Sequence, residues 1–88
     1  MAEYVQKPTI VEAFKWEGTD QVEYPLWLTE AISNGLIWFE NENMQIKTLE
    51  EICTADSGDY IVKGANGEIY PCKPWVFESN YDKLENPF

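Results

Sequence analysis

The sequence predicts an α+β domain, a curved and mostly antiparallel sheet of about five strands with one main helix. Three observations lead there. Residues 58–74, GDYIVKGANGEIYPCKP, set two runs of β-forming side chains, Tyr60-Ile61-Val62 and Ile69-Tyr70, around Gly64-Ala65-Asn66-Gly67. Asn66-Gly67 signals a hairpin because both residue types tolerate positive φ. Residues 36–40 and 44–49 make a second pair of runs around Asn41-Glu42-Asn43. Between the chain start and that pair, residues 25–35 hold the main helical pattern.

A chain of 88 residues makes one small domain, with residues 85–88 expected to fray. Such a domain buries roughly 60–65% of its unfolded surface. Four Trp, five Tyr and four Phe supply large area per buried side chain, so aromatics are expected to close part of the core.

The first strand is read over residues 9–16, opened by Pro8, whose missing N–H suits a strand beginning. Alternation sets Ile10, Glu12, Phe14 and Trp16 on one face and Val11, Ala13 and Lys15 on the other. Glu12 interrupts the apolar face, which an edge or bent strand would relieve. Residues 17–20 close the strand. Pro25 suits a first helical turn, Leu28, Ala31 and Ile32 share a face, and Asn34-Gly35 is a stop by the left-handed mechanism.

Residues 36–40 are a strand that pairs with 44–49, in which Met44 and Ile46 oppose Gln45 and Lys47. Residues 50–55 are a candidate short strand and 56–59 a turn. The hairpin of 60–70 is expected to stop at Pro71. Residues 75–80 read as a helical turn started near Pro74 or an irregular lid, and 81–84 as a possible last strand.

Sixteen acidic residues face six lysines, with no Arg or His, for a net charge of −10. That charge argues against direct nucleic-acid binding, which relies on cations at the phosphates, and is compatible with a basic protein partner. No apolar run approaches the roughly 20 residues that span a membrane. With no secretory pattern at the start, the expected location is the cytoplasm. Cys53 and Cys72 are expected to be reduced and buried.

Chemistry finds little support. Without His, the usual triads and common zinc sites are excluded. The glycines of residues 58–67 lack phosphate-loop spacing. Asp56, Asp59 and Glu68 are the carboxylates a hairpin could bring together, for a cation or an acid–base pair. No catalytic, cofactor or metal residue is assigned, and no cofactor is expected. Tyr60, Tyr70, Trp75, Phe77 and Tyr81 gather around the hairpin and its exit. The candidate contact surface is Lys63, Tyr70, Lys73 and Trp75.

Three blocks carry a resemblance: Pro8-Thr9-Ile10-Val11-Glu12-Ala13-Phe14-Lys15-Trp16, then Trp27-Leu28, then residues 58–74 with Phe77-Glu78 and Tyr81 beyond. The chain resembles a family of small uncharacterised bacteriophage and prophage proteins with the hairpin signature G-D-Y/W-I-x-K-G-x-x-G-E-x-Y-P-C-K-P. Two departures stand out: Ser57 where the family often has Pro, and Trp75 where it is often polar.

The resemblance implies no catalytic set. It implies an accessory protein of a phage or prophage, acting in the host cell. The expected function is non-enzymatic binding of a host or phage protein, with inhibition of bacterial defence through the acidic surface as its specific form. The alternatives are a small-ligand (nucleotide-like) binder using Tyr60, Tyr70 and Trp75 with Lys63 and Lys73, and a carboxylate-dependent enzyme using Asp59 and Glu68. Monomer and homodimer both stay open.

Overall fold

The computed structural model describes residues 2–4, 10–18 and 23–83. The sequence readings of Pro8, of Thr19 and Asp20, and of the tail at 85–88 lie outside them. Elements follow the order β1 (Glu12–Lys15), α1 (Leu26–Ser33), β2 (Ile37–Glu40), β3 (Asn43–Lys47), β4 (Ile52–Ala55), β5 (Tyr60–Lys63), β6 (Ile69–Cys72) and α2 (Pro74–Asn80).

The class is α+β, but the expectation of one five-strand sheet is corrected. Six strands form two three-stranded antiparallel sheets, ordered β1-β5-β6 and β2-β3-β4. Alternation in a strand reports which side chains share a face and is silent on which strand lies alongside. Here β1 skips three strands to pair with β5.

The first sheet turns one face to the main core. Phe14, Trp16 and Ile61 point there, and Trp16 and Ile61 are fully buried. The second sheet answers with Ile37, Met44, Ile46 and Ala55, and α1 adds Leu28 and Ala31. Glu12 is exposed on β1, an edge strand, as its place in the apolar pattern required. Trp16 Nε1 is buried without a hydrogen-bond partner, a cost of about 1–3 kcal/mol.

Turn chemistry explains most boundaries. Helix α1 starts after extended Pro25, whose carbonyl accepts from Leu28 and Thr29 N–H. It ends in a Schellman arrangement: Leu36 N–H donates to Ala31 O and Gly35 N–H to Ile32 O, with Gly35 at φ +79°. The β2–β3 loop has both central residues left-handed, Asn41 at +51° and Glu42 at +66°. That twist suits a two-residue hairpin, but Glu is a poor occupant of it.

The β5–β6 turn differs from the expectation that Asn66 and Gly67 share positive φ. Gly67 alone is left-handed, at +86°; its N–H donates to Gly64 O, and Gly64 N–H donates to Glu68 O. This is a type I turn closed by a glycine bulge. Asn66 Oδ1 accepts from Glu68 N–H at 3.1 Å.

The predicted stop at Pro71 is also corrected, because β6 continues to Cys72. Pro71 faces Ile61, one step from the Val62–Tyr70 pair. Counting from the bonded Gly64–Glu68 pair puts Pro71 at a non-bonded position, so its missing N–H costs no β5 ladder bond. Residues 75–80 are helical, within α2. Tyr81, Asp82 and Lys83 form no strand, and Leu84 lies outside the described residues.

Candidate functional site: the exit of the hairpin and the face beneath α2

Residues 56–59 form a closed turn. Asp59 N–H donates to Asp56 O at 3.0 Å, and the Asp59 carboxylate accepts from Asp56 N–H at 2.9 Å. The turn is tied to the end of β1 by Gly58 N–H to Trp16 O, Trp16 N–H to Asp59 O, and Ser57 Oγ to Glu17 O. Asp59 is the buried charged residue among those described. Its partner arrives from β6: Lys73 Nζ lies 3.0 Å from Asp59 Oδ2 and 3.1 Å from Asp56 Oδ2. The hydrogen bond to Asp59, then that to Asp56, holds the Lys73 ammonium above the usual lysine range.

Lys73 ends in an extended conformation and Pro74 opens α2, the position where Pro gives up no helical bond. The helix lies over the sheet face turned away from the main core. Phe77 stacks on Tyr60, with centroids 4.3 Å apart, and Tyr81 stacks on Phe77 at 4.8 Å. Spacing of four residues lets Phe77 and Tyr81 reach the same face. Lys15 Nζ sits 5.8 Å from the Tyr60 ring centre.

Tyr70 and Cys72 share this face with Tyr60 and the fully buried Val62. Burial, then the neighbouring Tyr81, pushes the Tyr70 phenol up. Burial, then the charge of Asp59, does the same to the Cys72 thiol. Cys53 and Cys72 are free and only half-buried, short of the burial expected for them.

On its far side α2 presents Trp75, 67% exposed, and Val76. The backbone behind them is braced: Ser79 Oγ donates to Trp75 O and Asn80 Nδ2 to Val76 O. Beside the helix an open groove of about 760 Å³ runs against β1, lined by Val11, Ala13, Tyr60, Phe77 and Tyr81. Glu78, Asp82 and Lys83 also line it. A shallower hollow of about 470 Å³ lies at the hairpin turn, between Glu12, Lys63 and Gly64.

The four contact candidates from the sequence do not form one surface. Trp75 is exposed, Tyr70 is half-buried on the outer face, and Lys73 is committed to two aspartates. Lys63 faces Ile69 at the other end of the hairpin, about 13 Å along the strand from Lys73. Asp59 and Glu68 are also separated: Glu68 bonds Gly64 at the turn, five residues from Asp59, or about 17 Å. Among the described residues no group of three or more His, Cys, Asp or Glu side chains is placed to hold a metal ion, and no helix is long and apolar enough to cross a membrane.

Two features escaped the sequence reading, and both had a signal. Pairing Gly64 with Glu68 and counting outward sets Asp59 opposite Lys73. The spacing of Phe77 and Tyr81 gives α2 one aromatic face. Comparisons with protein-family models, curated proteins and solved structures return no match to this chain.

Proposed function

We propose that this chain is a non-enzymatic binding module, of the phage or prophage accessory kind, that contacts a host or phage protein through the outward face of α2. The observation that carries the reading is Trp75. A large aromatic side chain stands two-thirds exposed on a helix anchored on its other side by the Tyr60–Phe77–Tyr81 stack. An exposed Trp at low conformational freedom is the residue type that dominates protein-binding energy. Val76 extends the apolar surface, and Glu78 lies in the next turn.

The other readings have less support. A nucleotide would need Lys63 and Lys73 on one side of its phosphates, and they stand at opposite hairpin ends. An acid–base pair of Asp59 and Glu68 has the same difficulty. Inhibition of a defence protein by acidic mimicry calls for acids on one face; the described carboxylates are spread over β1, α1, the β2–β3 turn, the approach to β4 and α2.

The test compares the wild-type chain and Trp75→Ala as baits in lysates of infected cells. The proposal expects a saturable protein partner that the variant loses while melting at the wild-type temperature. Equal capture by both baits would overturn it.

A further inference from the structure

The outer edge of β1 and the groove beside it form a second surface. Trp16 N–H donates to Asp59 O at 2.9 Å. Antiparallel ladders alternate bonded and non-bonded pairs, so Glu12, Phe14 and Trp16 direct their backbone groups to β5. Ala13 and Lys15 therefore direct theirs outward, and no described strand pairs with that edge. The Ala13 side chain shares the outer face with Tyr60 and Val62. An edge strand, an apolar floor and a facing helix are the parts used when an extended peptide joins a sheet.

We propose that β1 takes an extended segment of a partner protein by antiparallel strand addition, with apolar side chains at alternate positions in the groove and basic side chains between them. The groove sets the apolar positions. The charge of the whole chain, −10, sets the others, because close to the edge the signs balance: Glu12 faces Lys63 on the opposite face, and Glu78 and Asp82 line the groove with Lys83, near Lys15. A second copy of the chain brings the same −10 and is repelled. This surface is separate from Trp75 and does not rest on the reading of α2.

The probe is the capped peptide Lys-Val-Lys-Phe-Lys-Val-Lys, titrated into isotope-labelled full chain at about 50 mM salt. Saturable amide shifts are expected at residues 11–15 and 77–82. Directly opposed residues share a face, so the apolar residues of the peptide are the ones whose N–H groups meet β1. N-methylation at its Val and Phe residues should weaken binding at least about tenfold, and N-methylation at its Lys residues should leave it nearly unchanged. Ala13→Pro removes an outward N–H without touching a β5 bond, and should weaken binding similarly at an unchanged fold. If that variant does not fold, the two methylated peptides decide. Equal affinity of those peptides, shifts elsewhere, or no saturation by about 1 mM overturns the proposal. So does sedimentation of the free chain as a dimer whose contacts map to β1, which would make a second copy the occupant.

Discussion

Lys73 and Asp59 face each other one step beyond the last β5–β6 pair, with Nζ and Oδ2 3.0 Å apart and the carboxylate side chain 5% exposed. The pair joins three things: the 56–59 turn, the end of β6 and the start of α2. It fixes where the hairpin ends and so where Trp75 stands. Removing the carboxylate frees the Asp56 N–H and leaves Lys73 only its exposed partner. Asp59→Ala should cost about 1–3 kcal/mol of stability in urea unfolding. Asp59→Asn, which keeps an acceptor for Asp56 N–H, should cost less.

Alkaline pH should destabilise the fold through β6 and its exit. Cys72, Tyr70 and Lys73 all have folded pKa values above their ordinary ones. In each case the folded state holds the proton more tightly than the unfolded chain, so stability falls with rising pH. The contributions are complete below the ordinary values and disappear as pH climbs through the raised ones. Thermal unfolding should therefore be flat to about pH 8 and decline from about pH 9 upward. Tyr70→Phe should flatten the upper part of that decline.

The strained β2–β3 loop predicts a gain. Glu42 holds φ +66°, and a left-handed residue with a side chain costs about 1–2 kcal/mol. Glu42→Gly should raise stability by about 0.5–1 kcal/mol, the rest being offset by the greater freedom of Gly in the unfolded chain. Denaturant midpoints measure this directly.

The two sides of α2 should respond unequally to truncation. Phe77→Ala removes a ring stacked between Tyr60 and Tyr81, and should cost about 1–3 kcal/mol, less than full burial of Phe would imply. Trp75→Ala removes a side chain 67% exposed and should stay within about 0.5 kcal/mol of wild type.

Much of this fold is legible in local signals. Helix α1 follows from Pro25 and Gly35, and the β2–β3 hairpin from the alternation of Met44 and Ile46. Glu12 marks an edge strand. What was illegible depends on distant parts of the chain. Both Ile61 and Val62 are fully buried, because β5 is central and covered on both faces, so alternation could not say which face belongs to the core. The sequence therefore groups Tyr60 and Tyr70 with the hairpin aromatics, and names Tyr70 a contact, without showing that both lie on the face that α2 covers. The partition into two sheets rests on β1 reaching β5, which no local pattern encodes. For the contact surface, Trp75 was legible as an aromatic after Pro74. The pairing of Lys73 with Asp59, fourteen residues earlier, emerges only when the hairpin register is counted outward from its turn.

The most direct test of the account replaces Trp75 with a photo-crosslinking amino acid in the full chain, with the same replacement at exposed Thr54 on the outer face of the second sheet as the reference. Irradiation in infected cells should yield one saturable protein adduct at position 75 and none at position 54. Adducts of equal yield and composition from the two positions, or none from either, would contradict the claim that α2 presents Trp75 to a partner.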